Sequence, residues 1–350
     1  MTRDELLDRI RHGEQVADID CTGWDLAGVD LSGAMLERVN FTGARLTGAN
    51  MGDSMLSHCV LAECEISKSR LEGTKFLACD LAAARLSDAV LTQAHFVDSD
   101  LRHAVLTGAC LDFASFSKCQ LADAQLQVQA CDRAVFLESQ TERSDFTGAL
   151  LNFVTFYRMD LTTVRFANAR CQSVMFVESD LSRQVFSGQE LTLCQFTDSK
   201  LEAVDFSGAR LTQSNFKGAS LREASLSGAD ARLALFVEAD LHAADCSGGR
   251  FEQSIWADAR LEAVNFEAAN LALSVFHRAQ CVGASFRKAD LQDADFSHAR
   301  LTDADMSGAH FLRTRFHRAV QEGARFSSRG GIIENDPELH KAQAWSGSPH

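Results

Sequence analysis

The sequence predicts a solenoid of stacked, four-sided coils, and three observations predict it. From Cys21 to Phe326 every fifth residue falls on one unbroken apolar register: of 62 positions, 28 are Leu and 22 are Phe. Only Thr141, Ala231 and Gln321 lack a substantial apolar side chain there. A five-residue period fits neither a helix nor a flat strand, so it marks a repeat architecture. Second, the residue two before each centre is small, with Trp24, Gln129, Met159, Gln184 and Gln189 as the exceptions. Third, sorting the centres every 20 residues gives four columns of different character. One column is aromatic from Phe76 through Phe156, Phe196 and Trp256 to Phe316, and another, headed by Leu61, Leu81, Leu101 and Leu121, is nearly pure Leu. An order of this kind in residue identity is what four-sided coils produce when they stack.

The residues also resemble a known family. Asp30-Leu31-Ser32-Gly33-Ala34, Asn40-Phe41-Thr42-Gly43-Ala44 and Asp205-Phe206-Ser207-Gly208-Ala209 are similar to the consensus of pentapeptide-repeat proteins, and the resemblance covers roughly residues 20–326 without an insertion. It implies an all-β fold, a right-handed quadrilateral parallel β-helix, in which each pentapeptide makes one side. Its central residue and the small residue two before it then point inward. About 15 coils at the strand spacing of about 4.8 Å would make a rod roughly 70 Å long.

Each segment has its own justification. Residues 1–20 read as an N-terminal helical cap: Thr2 is the N-cap, Glu5 completes a capping box, and Leu6, Leu7 and Ile10 give one apolar side. A solenoid needs such a cap because its first coil otherwise exposes core and an open strand edge. Residues 21–326 form the repeat domain, and both prolines, Pro337 and Pro349, lie beyond it. That absence fits a region whose backbone N–H groups bond the next coil. Residues with small or turn-forming character two after each centre, as at Gly28, Gly208 and Gly228, mark the corners. Residues 327–350 form a C-terminal tail: Gly330-Gly331 breaks the frame, Asp336-Pro337-Glu338 starts a short helix, and Ile332, Ile333, Leu339 and Trp345 are expected to cover the last coil, with disorder from Ser346 onward.

Chemistry finds little support. Of the eleven cysteines, ten fall on inward positions and only Cys110 points out, so they read as core. Cys59 and Cys79 sit on adjacent coils, near enough for a disulfide, but reduced thiols are expected in a cytosolic protein. No signal peptide or apolar run of membrane-spanning length appears. The chain reads as a soluble, cytoplasmic, bacterial protein that does not insert into membranes. The column Asp80, Asp100, Asp160, Asp180 and Asp240 is expected to bond local backbone at corners. His277, His298 and His317 with Arg278, Arg315 and Arg318 read as a solvated basic patch, since the cations oppose a metal ion. No catalytic, metal-ligating or cofactor-binding set stands clear of the repeat, and a packed interior leaves no pocket for an enzyme.

Function is therefore expected on the outside. With 48 acidic and 34 basic residues the net charge is −14, which disfavours direct nucleic-acid binding. One outer face, beside the aromatic column, carries an apolar stripe: Val135, Leu137, Tyr157, Met175, Val177, Leu235, Val237, Ile255 and Val275. Phe113, Phe153 and Leu193 follow at the adjoining corner, spaced 40 residues apart. A stripe of this length marks a partner surface. The expected function is a non-enzymatic scaffold or adaptor that binds a protein partner through this face. Association with a second copy, through a face or the C-terminal end, is the other use expected of the surface. The segment Leu6 to Glu14 is similar to the start of pentapeptide-repeat accessory proteins of type VI secretion loci, which implies an adaptor there. The alternative is a DNA mimic that regulates or protects type II topoisomerase (gyrase), as known for the family. The interspersed Arg165, Arg170 and Arg183 and the absence of a protruding loop weigh against it.

Overall fold

The computed structural model describes residues 1–335 and 337–345. The chain forms two compact units, Met1–Asp180 and Leu181–His350. Both are parallel β-solenoids, as the repeat predicts. Residues 16–180 make about eight turns and residues 181–333 between seven and eight, the strand and bridge positions pairing with those 20 on until the last pair, where Thr314–Arg315 meets Ile332–Ile333 18 positions on.

The local cause is the same on most sides, the exception being the strand side of the first unit, where the N–H groups of Cys79, Cys119 and Met159 donate to the Ser99, Ser139 and Ser179 hydroxyls of the next coil. The centre's N–H donates to the carbonyl 19 residues on, as Leu31 does to Asn50 at 2.7 Å and Leu211 to Asp230 at 2.7 Å. A turn then closes from the residue three after the centre back to the centre's carbonyl, as from Ala34 to Leu31 at 3.1 Å. The third residue of that turn has positive φ, as the type II geometry requires. Gly supplies this at Gly33 and Gly208, but Asp53, Lys68, Arg143, Phe113 and Leu193 also adopt it. The preceding Asp helps to hold the corner: the carboxylates of Asp80, Asp100, Asp160 and Asp240 each accept the backbone N–H two residues on, at 2.9–3.1 Å. This is the structural role read from the column.

In the first unit the aromatic side is the most regular. Nine short strands stack in parallel, from Val16–Ala17 through Met35–Glu37 and Val135–Leu137 to Met175–Val177. Inside, Phe76, Phe96, Phe116 and Phe136 stack at 4.6–4.8 Å between ring centroids, within 3° of parallel. Phe146 and Phe166 meet this column edge-on from the opposite side. In the second unit Phe196, Phe216, Phe236 and Trp256 continue the pattern, Phe236 and Trp256 at 4.0 Å. The core is the apolar register itself, nearly all of it fully buried.

Small inward residues do more than make room. Ser54, Thr74, Ser144, Ser214, Ser274 and Thr314 each donate a hydroxyl hydrogen bond of 2.7–2.8 Å to a centre's carbonyl 23 residues back. Cys64 and Cys119 direct their thiols at the equivalent carbonyls, at 2.7 and 3.4 Å. Burying a hydroxyl is tolerable only with such a partner. The cysteines are free thiols, ten buried and Cys110 half-buried. Burial pushes the Cys64 and Cys119 thiols up to about 12.

The exceptions to the small-residue rule resolve differently. Met159 and Gln184 stay inward, whereas Trp24 and Gln189 are half-buried. At Gln129 the pattern exchanges by one residue: Gln129 is exposed and Val128 turns into the core. A β-branched Val is poorly suited to the left-handed corner, and Gln would bury an amide. Cys131 restores the frame as a buried centre.

The N-terminal helix spans Arg3–Arg11 with the expected capping box, Thr2 to Glu5 in both directions, and buries Leu6, Leu7 and Ile10. The C-terminal expectation needs correcting. Ile332–Ile333 pairs in parallel with Thr314–Arg315 and extends the solenoid. A helix follows over Pro337–Trp345, but Trp345 is 91% exposed and covers nothing. Its ring stands at the far end of a helix that follows the last pairing strand. Asp336 and Ser346–His350 lie outside the described residues, as does the Leu339 side chain.

Candidate interaction face

The strand residues flanking the aromatic column point outward by simple alternation. In the first unit Val135, Thr155 and Met175 form one row across neighbouring strands, and Leu137, Tyr157 and Val177 the other. Val135 is exposed, and Leu137, Tyr157, Met175 and Val177 are half-buried. Phe113 and Phe153 stand at the corner before these strands, 46% and 43% exposed. In the second unit Leu193 and Leu235 are exposed, while Val237, Ile255 and Val275 are half-buried. Leu235, Ile255 and Val275 are bridged in succession, so they too share one row.

Two contacts were not legible in the sequence. The Arg133 guanidinium lies over the rings of Phe113 and Phe153, 5.5 and 5.2 Å from their centroids, and donates to Asp132 at 2.6 Å. Asn152 donates to the same Asp132 carboxylate at 2.6 Å. At the other corner Arg158 lies 4.8 Å over the Tyr157 ring, bonds Glu178 at 2.8 Å and approaches Glu138 at 3.6 Å. Each cation thus covers part of an aromatic face. The signal was present as Arg133 midway between Phe113 and Phe153 at a 20-residue step, but only the corner geometry joins them.

Phe113, Phe153 and Leu193 hold φ of 58°, 51° and 62°. Bulky residues rarely sit in this left-handed region. These side chains combine backbone strain with apolar exposure. The same φ is the ordinary geometry of these corners, as at Asp53, Lys68 and Arg143, so apolar exposure is what sets the three apart. Apolar exposure is not confined to this side, however. Leu150, Val185, Leu312 and Val320 are exposed on others, singly and without a row.

The remaining surface is charged and largely self-paired. Arg residues reach the acid 20 positions back: Arg38 to Asp18, Arg143 to Asp123, Arg278 to Asp258 and Arg313 to Asp293, at 2.6–2.7 Å. These pairs hold the carboxyls of Asp18, Asp123, Asp258 and Asp293 below their usual range, chiefly by the hydrogen bond from the guanidinium. The histidine group is less solvated than the sequence implied. His317 is buried, its ring 5.7 Å from that of His298, and His277 meets Asp295 at 3.0 Å. Among the described residues, no group of three or more His, Cys, Asp or Glu could hold a metal ion, and no helix is long and apolar enough to cross a membrane.

This architecture is that of a pentapeptide-repeat solenoid, and the sequence agrees. Models of pentapeptide repeats (8 copies) match residues 17–53, 25–61, 40–76, 84–121, 185–218 and 219–255, and that of a pentapeptide repeat region matches 249–326. The chain belongs to the pentapeptide-repeat family, whose members are in general non-catalytic structural or interaction proteins. Among solved structures it is similar to a pentapeptide repeat protein of the Arabidopsis thaliana thylakoid lumen, at 29% identity over 31% of this chain and 69% of that one, with a TM-score of 0.24. It is also similar to HetL of Nostoc sp. strain PCC 7120, involved in heterocyst differentiation regulation, at 22% identity over 81% and 96%, with a TM-score of 0.21. QnrB1, a plasmid-mediated fluoroquinolone resistance protein, matches at 12% identity over 95% and 100%, with a TM-score of 0.20. No curated protein matches the chain.

Proposed function

We propose that this protein is a non-enzymatic scaffold that binds a protein partner through the apolar face beside its aromatic column. The observation that supports this most is the corner of Phe113 and Phe153, exposed and held at positive φ next to the row of Val135, Leu137, Tyr157, Met175 and Val177. The self-paired Asp and Arg ladders favour this reading over a DNA mimic, because a mimic needs a continuous field of one sign. The eleven free thiols are compatible with work in a reducing cytoplasm. An adaptor for secretion is one such scaffold, and the similarity of Leu6 to Glu14 is its support.

The test replaces Tyr157 and Val177 together with Asp. Both point away from the core, so the variant should fold. The bait is the full chain, and the readout is capture of protein from the native host. Loss of the wild-type partners by a folded variant supports the proposal. A folded variant that retains every partner refutes it.

A further inference from the structure

The same face has a symmetry that selects one occupant. At three neighbouring levels of the nine-stranded sheet its two edges carry complementary residues, five positions apart in the chain. Phe113 stands opposite Lys118, Arg133 opposite Glu138, and Phe153 opposite Arg158, all at left-handed corners. A two-fold axis parallel to the direction in which the coils stack keeps each level and exchanges the edges. It sets Arg133 of one copy against Glu138 of the other, twice, and places Phe113 and Phe153 against the cations of Lys118 and Arg158. Between the edges, Val135 meets Leu137 and Met175 meets Val177, apolar on apolar, with Thr155 against Tyr157 at the level between. Ion pairing, cation–π contact and apolar burial then agree across these three levels.

We propose that a second copy of this chain docks on this face, side by side and parallel, with Phe113, Arg133, Glu138, Phe153 and Arg158 at its edges. The inference rests on the reading of this face as an interaction surface and names its occupant. The size is adequate for a reversible dimer. Nine strands at about 4.8 Å, each about 10 Å wide, present about 430 Å² per copy. The two corners bring the pair near the roughly 1,000 Å² in total that separates specific interfaces from chance contacts. An antiparallel pair would set Arg133 against the other copy's own corner of Phe113, Arg133 and Phe153, never against Glu138.

The experiment is sedimentation of the full chain across micromolar concentrations, with melting curves as a folding check. The wild type should dimerise reversibly. Arg133→Glu and Glu138→Arg should each weaken the dimer by roughly tenfold, and the two together should restore it. Phe153→Ser, which removes an exposed ring, should weaken it without any change of charge and serves if a charge variant fails to fold. A chain that is monomeric throughout overturns the proposal. So does a dimer that ignores all four variants, or single losses that the double exchange fails to repair. A monomer that still loses host partners on Tyr157→Asp with Val177→Asp would overturn this inference alone and leave the scaffold reading standing.

Discussion

At the residue scale, inside and outside positions on one strand obey opposite rules. Phe196 is a buried centre, stacked 4.8 Å from Phe216 and edge-on to Phe206 at 5.6 Å. Its replacement by Ala leaves a cavity that the stacked rings cannot close, so Phe196→Ala should cost about 3–5 kcal/mol in denaturant unfolding. Phe153 is exposed at positive φ, where Asn is more comfortable than Phe. Relief of the backbone offsets loss of the Arg133 contact, so Phe153→Asn should change stability by no more than about 1 kcal/mol. A large loss would assign that ring a folding role. Asp295 shows how the surface pairs act. Burial opposes its ionisation, but hydrogen bonds from His277 and from Ser297 outweigh it and hold the carboxyl down to about 2. A carboxyl depressed in the folded state stabilises above its unfolded value of about 3.9 and loses that contribution as pH falls toward 2. Asp295→Asn should therefore melt lower than wild type at pH 6, and the gap should close between about pH 4 and pH 2.

At the scale of the side and coil, volume is balanced across neighbouring turns. Ala231 is a small centre directly before Phe251 in its column, and Phe251 meets Trp256 edge-on at 5.5 Å. Gly249 makes this possible: a Cβ there would stand 2.4 Å from the Phe251 ring and 3.2 Å from the Cys246 carbonyl. The ring is hemmed in by Trp256 and Phe266. Gly249→Ala should therefore destabilise by about 1–3 kcal/mol, the usual range for overpacking, as read by thermal or denaturant melting. The inward register, the corners and the capping box were legible in the sequence because each repeats or has a fixed spacing. The exchange of Val128 for Gln129 was not, because a period describes the average corner and not one whose residue resists positive φ. The exposure of Trp345 was equally hidden, since a helix's composition does not say what it packs against. The outward rows of the apolar face followed from alternation alone. The cations stacked on Phe113, Phe153 and Tyr157 required the corner geometry.

At the scale of the whole molecule, Arg–Asp pairs such as Arg38–Asp18, Arg143–Asp123 and Arg313–Asp293 place cations among the acids whose excess gives the net charge of −14, so the anionic field is interrupted. Micromolar protein should therefore leave gyrase supercoiling unaffected and give no protection from quinolones. Inhibition that weakens with added salt would establish the DNA-mimic reading instead. The proposed recognition surface is the apolar face, whose aromatic side chains are of the types that carry interface energy. Hydroxyl-radical footprinting of the chain alone and with its bound partner tests this most directly. The account predicts that Phe113, Phe153, Tyr157 and Met175 lose reactivity on binding while the exposed Leu150 and Leu312 do not. Protection at Leu150 or Leu312, with the four face residues unchanged, would contradict it.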